Sequence, residues 1–224
     1  MAACPIMAHD NVWISTTWTV VLPIKELAVA KSRLAGDPGA RATLALAMAR
    51  DVVAAAQACG AVEEIIVVTD DSRVKQALGV SCLVVPDLPR AGLSAAIAHG
   101  AQAASSRWPD YGILALAADL PALTSRSLAD VLVQAAPGRS VVADFAGSGT
   151  VLLAATPGTR LRPAFEGASL AAHVSSGARD LTRWATAALR RDVDTVEDLA
   201  TAISLGVGAS TAQAAESWRA AHWL

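Results

Sequence analysis

The sequence predicts a single α/β domain built on a buried, mostly parallel sheet. From residue 18 onward, short runs rich in Val, Ile and Leu alternate with longer Ala-rich runs at helical spacing, which is the βαβα pattern. The 224 residues suffice for one core without metal or disulfide staples. No fixed-period repeat and no Pro/Gly/Ser linker divides them.

Taken in order, strands are expected at residues 18–23, 64–69, 82–85, 112–117, 140–143 and 151–155. Helices are expected at 40–59, 73–77, 92–105, 125–135, 161–165, 168–175 and 196–204. Ser125 can cap the helix that follows the break at Pro121. Thr195, followed by Val196, Glu197 and Asp198, reads as a capped first turn with acids at the positive end of the helix dipole. Gly60, Gly79 and Gly100 suit helix ends. Residues 1–17 are expected to be a disordered lead-in without the basic and apolar regions of a secretory signal, and residues 18–205 to be the domain. Residues 206–224, with Trp218 and Trp223, are expected to form a helical extension packed on the body or on a partner.

Composition narrows the partners. A formal net charge of −2 with 17% charged residues gives no basic field for a nucleic-acid backbone, so any anion must be recognised locally. Cys4, Cys59 and Cys82 lie far apart with no C-x-x-C, which argues against a disulfide framework or zinc site and suits a reducing cytoplasm. The 54% hydrophobic content is largely Ala, and no run reaches the roughly 20 apolar residues of a membrane helix. A soluble protein is expected, with monomer and homo-oligomer both open.

In an open parallel sheet, ligands sit beyond the carboxyl ends of the strands, so the residues after each strand matter most. The first strand leads into Pro23-Ile24-Lys25 and Ala30-Lys31-Ser32-Arg33-Leu34. Three cations among small residues at a strand end can wrap a polyphosphate, or can be a solvated basic loop. Neither a Walker A loop nor a G-x-G-x-x-G fingerprint is present. Asp119, in Ala118-Asp119-Leu120-Pro121, ends an apolar strand and reads either as a metal ligand or as a turn residue. Asp192 and Asp194 flank Val193 in an extended stretch, so both can face one side. They can converge with Asp119 on a hard cation, or Asp194 can cap the next helix.

Gly147 to Thr150 and Phe165 to Ser169 offer N–H and hydroxyl donors to an anion, or are ordinary turns. Arg90-Ala91-Gly92-Leu93-Ser94 opens a helix and can present N–H groups to a base or phosphate. The histidines organise no site, and His99 and His173 read as packed or solvated imidazoles within Ala-rich helices. No G-x-S-x-G elbow or cysteine motif supports a protein nucleophile.

Taken together with Thr69-Asp70, Gly149-Thr150 and Asp192-Val193-Asp194-Thr195, these motifs resemble a known family. It is the 2-phospho-L-lactate/phosphoenolpyruvate guanylyltransferases of coenzyme F420 biosynthesis, matched in order over roughly residues 18–205. The resemblance implies a nucleotidyltransferase fold like that of the molybdopterin guanylyltransferases, a GT-A/Rossmann-like domain with a mixed, mainly parallel sheet between helices. It implies GTP and a small phosphorylated three-carbon acid as partners, with pyrophosphate released. Lys25, Lys31 and Arg33 look like triphosphate holders, with Ser94 at the nucleotide, although the family pattern has Asn there. Asp119, Asp192 and Asp194 look like the ligands of Mg²⁺. Thr150, Gly167 and Ser169 look like the acceptor pocket, with the stretch around Glu166 and Gly167 offset from the pattern. Two other readings fit the residues: a same-fold enzyme acting on a sugar phosphate or molybdopterin, and a non-catalytic nucleotide binder.

Overall fold

The computed structural model describes residues 6–8, 12–14, 16–29, 31, 33–34, 37–88 and 90–222. Where a disordered lead-in is expected, β1 (Ile6–Ala8) and β2 (Val12–Ile14) pair antiparallel; residues 1–5, 9–11 and 15 of that stretch lie outside the described residues. The body then runs β3 (Trp18–Pro23), a 3-10 turn (Leu27–Val29), α1 (Pro38–Gln57), β4 (Val62–Val68), α2 (Ser72–Leu78), β5 (Leu83–Val85) and α3 (Leu93–Arg107). It continues through β6 (Gly112–Leu116), α4 (Ser125–Leu132), β7 (Arg139–Ala143), β8 (Thr150–Ala155) and α5 (Ser169–Ser175). The last elements are β9 (Arg179–Asp180), a second 3-10 turn (Thr182–Trp184), α6 (Ala187–Arg190), α7 (Val196–Leu205) and α8 (Ala209–His222).

Among the described residues, seven strands form one mixed sheet in the order β5-β4-β3-β6-β8-β7-β9. The β3/β4, β3/β6, β4/β5 and β7/β9 pairs are parallel, and β8 runs antiparallel to both β6 and β7. Alternation along the strands divides the core. Val20 and Leu22 of β3 pack with Val52, Leu128 and their neighbours on the α1/α4 face. Val21 points the other way, with Ile97 and Ala101 of α3. A smaller cluster joins Leu34, Leu44, Met48, Val193 and Leu199, fastening the basic loop and the late acidic segment to α1 and α7.

Several local expectations change. Residues 161–165 are not helical, because Pro163 disfavours the α-region for its predecessor and Arg162 takes φ +52°. The cap of α4 is Thr124, in a reciprocal capping box with Ser127, rather than Ser125. Gly100 lies inside α3, where a Cβ would stand 2.5 Å from Val21 Cγ1 and 2.7 Å from Val68 Cγ2, so it permits close helix–sheet approach instead of ending the helix. Thr195 caps α7 with Asp198 closing the box. Helix α8 packs on α1, and its first N–H groups, from Ser210 and Thr211, donate to the buried Asp51 carboxylate at 3.0 and 2.8 Å. No described helix is long and apolar enough to cross a membrane.

Candidate active site

Strand direction decides which residues meet. The carboxyl ends of β3 and β6 deliver Lys25 and Asp119 to one edge, and β8, running the other way, starts at that edge with Thr150. The segment before α7 docks there through the Val193 N–H, which donates to the Asp119 carbonyl at 3.1 Å. Val193 is fully buried, so the flanking Asp192 and Asp194 turn toward the edge as their two-residue spacing predicts.

The result is a cavity of about 470 Å³, within the roughly 300–1,000 Å³ of small-molecule sites. Lys25, Lys31, Asp119, Asp192, Asp194 and Thr150 line it, and Leu93, Ile97, Met48 and Phe165 supply apolar wall. A larger hollow of about 670 Å³ lies at the opposite edge, among Tyr111, Arg160 and Arg162. Among the described residues no carboxylate lines it, and the convergence of charge marks the smaller cavity as the site.

Lys31 is the electrostatic centre. Its ammonium donates to Asp119 Oδ2 and, at 2.9 Å, to Asp194 Oδ1, with its side chain only 11% exposed. Burial works against that charge, but attraction and hydrogen bonding from Asp119, seconded by Asp194, hold the ammonium well above the usual lysine range. Lys31 takes φ +54°, a left-handed conformation costly for a residue with a Cβ, and its two ion pairs and the Leu34 N–H to Lys31 carbonyl bond fix it. Arg33 is 77% exposed and stands 3.7 Å from Asp194, off the cavity wall. Ala30 and Ser32 of the same loop lie outside the described residues.

Asp192 is in no ion pair among the described residues. Burial, then the Asp119 carboxylate, push its carboxyl up to about 6. Asp194 does not cap α7, since Thr195 does. No three His, Cys, Asp or Glu side chains gather in metal-holding geometry among the described residues, and the Lys31 ammonium bridges Asp119 and Asp194.

The expected acceptor and nucleotide residues separate into contact and support. Thr150 is on the wall; Ser169 is buried behind it and donates to Thr150 Oγ1 at 3.0 Å. Gly167 takes φ +64° in the turn before α5, and its carbonyl accepts from Ser169 N–H at 2.9 Å, away from the wall. Ser94 is committed to Glu166: its N–H and hydroxyl donate to that carboxylate at 3.1 and 2.5 Å, while Phe165 N–H donates to its Oγ at 2.8 Å. Those Ser94 bonds, with lesser help from Lys25, hold the Glu166 carboxyl below its usual range.

Asp71 escaped the sequence reading, and so did the contact of His173 with Thr150, since His173 reads from sequence only as a packed or solvated imidazole. Asp71 caps α2 and accepts from Leu27 N–H at 2.9 Å, tying the start of the basic loop to the end of β4. An Asp between a strand and a helix is the signal that could have found it. His173, fully buried, contacts both Thr150 and Ala164, and no local pattern announces it.

The model of the MobA-like NTP transferase domain matches residues 32–193. The phosphoenolpyruvate guanylyltransferase of Streptomyces coelicolor is 49% identical, over 88% of this chain and 95% of the relative. That of Salinispora arenicola is 48% identical, over 89% of this chain and 94% of the relative. A solved nucleotidyl transferase from Methanothermobacter, 20% identical, superposes with a TM-score of 0.61 over 84% of this chain and 97% of its own, a likeness of fold.

Proposed function

We propose, from the premise that the chain belongs to the phosphoenolpyruvate guanylyltransferase family of MobA-like NTP transferases, that it transfers GMP from GTP to phosphoenolpyruvate and releases pyrophosphate. The single observation that carries the reading is the meeting of a basic loop, three carboxylates and a hydroxyl in one cavity. An oxygen of the acceptor phosphate forms a bond to the α-phosphorus of GTP, and the bond to the β-phosphate oxygen breaks, its electrons leaving with pyrophosphate. The acceptor is already an anion, so no protein nucleophile or general base is needed. The barrier lies in bringing two anions together and in charge developing on the leaving group.

The side chains divide that work. Lys25, on the cavity wall, and the exposed Arg33, which flank Lys31 in sequence, offer cationic donors to the departing pyrophosphate. Lys31 adds a charge that stays protonated through the neutral range. Thr150, backed by Ser169, offers a donor to the acceptor. Asp119, Asp192 and Asp194 would hold Mg²⁺, and their chemistry fits it: hard oxygen donors whose combined charge exceeds that of the ammonium among them. Mg²⁺ commonly takes one or two carboxylates plus phosphate oxygens and water, so it requires no cage of three protein ligands. When bound, it would neutralise and align the phosphate oxygens. The product, in the same reading, is a diphosphate-linked intermediate of coenzyme F420 biosynthesis.

A panel of nucleoside triphosphates against phosphoenolpyruvate, 2-phospho-L-lactate, sugar phosphates and molybdopterin, read by pyrophosphate release, tests the proposal. Release is expected with GTP and phosphoenolpyruvate. Faster turnover with another pair would replace the acceptor or the base, and GTP binding without release would replace the enzyme with a passive binder.

A further inference from the structure

The environment of His173 assigns a direction to the Thr150 hydroxyl. The Ala164 N–H can only donate, and it points at His173 Nε2 at 2.9 Å, so that nitrogen carries a lone pair and no proton. In the neutral imidazole the proton then sits on Nδ1, which lies 3.0 Å from Thr150 Oγ1 and donates to it. Ser169 Oγ also donates to Thr150 Oγ1, at 3.0 Å. A hydroxyl has two acceptor lone pairs and one proton. With both lone pairs engaged, the one capacity left to Thr150, a residue on the cavity wall, is to donate.

We propose that His173 is a positioning residue which, with Ser169, makes Thr150 a donor-only contact, so that the acceptor subsite takes an anionic oxygen and rejects a group that must itself donate. The inference rests on the reading of Thr150 as an acceptor contact. His173 suits a fixed tautomer: it is fully buried, the Phe165 ring packs edge-on against it at 5.0 Å, and burial together with the nearby Arg139 disfavours its charged form.

Two substitutions separate the two hydrogen bonds. His173→Gln keeps an acceptor that can reach Ala164 but removes the Nδ1 donor, whereas His173→Asn keeps a donor near the Nδ1 position. In steady-state pyrophosphate release, His173→Gln is expected to raise the KM for phosphoenolpyruvate about 10-fold, the weight of one hydrogen bond to a charged group, with the KM for GTP unchanged. His173→Asn should restore most of that loss, and His173→Gln should add nothing in a Thr150→Val background.

If Thr150→Val leaves the phosphoenolpyruvate KM unchanged, the reading of Thr150 fails. If Thr150→Val raises it while His173→Gln does not, or if the two losses add in full, that reading stands and the role of His173 fails. A measurement on the unaltered protein covers variants that do not fold. Imidazole ¹⁵N spectra should show His173 protonated on Nδ1 and bare at Nε2, and the opposite tautomer overturns the proposal.

Discussion

Lys31 shows how much chemistry one residue gathers here. Its ammonium joins carboxylates 88 and 163 residues away, so no local pattern could announce the pairing, although the loop that carries it was plain as three cations after a strand. Asp192 and Asp194 were legible because Val193 between them is a core residue, and alternation forces its neighbours outward. Ser94 gives both its donors to Glu166, 72 residues on, a partner that no local pattern announces. For Asp119, replacement by Asn keeps the shape and removes the charge. Turnover at saturating GTP is expected to fall about 100-fold or more, as when a charge clamp on a transition state is lost, and wild-type turnover would remove Asp119 from the chemistry. His173 makes a prediction for stability. Its folded-state pKa lies below the ordinary 6.5, through burial and then Arg139. As pH falls past that value the unfolded chain binds the proton first, so stability falls with pH between the ordinary and the folded pKa, and the contribution is fully present above both. Urea titrations across pH 5 to 7 should show a steeper loss for the wild type than for His173→Gln; equal slopes would mean that the folded imidazole titrates normally.

At the scale of elements, the strands and long helices follow from apolar runs and Ala-rich spacing, but strand direction does not. A buried run such as Val151–Ala155 reads the same whichever way it points. Only the sheet shows that β8 is reversed, and that reversal puts Thr150 at the edge where Asp119 ends β6. Short elements such as α6 and β9 carried too few residues for any period to register. Glycine is usually costly inside a helix, so from sequence alone Gly100 suits a helix end. Here the contact outweighs the propensity. Alanine would gain about 1 kcal/mol as a helix former, yet its Cβ would collide with the stiff, branched Val21 and Val68 side chains, an overpacking worth about 1–3 kcal/mol. Gly100→Ala is therefore expected to lower the urea midpoint at unchanged slope, and a raised midpoint would mean that α3 can move off the sheet freely.

For the whole molecule, the sheet acts as an organiser of charge. Formal net charge is only −2, so recognition of a polyphosphate depends on gathering a few charges at one edge, not on a long-range field. Segments as distant as the basic loop, the end of β6, the start of β8 and the turn before α7 meet there because β3 and β6 share their carboxyl ends, β8 runs the other way and Val193 docks on Asp119. Family membership and this convergence bear on the same claim, that the α-phosphate of GTP is joined to the phosphate of a small acid. The direct measurement is ³¹P NMR with mass spectrometry on GTP, phosphoenolpyruvate and Mg²⁺ incubated with the protein. Equal amounts of pyrophosphate and of a guanosine–phosphoenolpyruvate mixed diphosphate are expected, with none formed when either substrate is omitted. Pyrophosphate accompanied by free GMP, or phosphate lost from phosphoenolpyruvate without a mixed diphosphate, would contradict it.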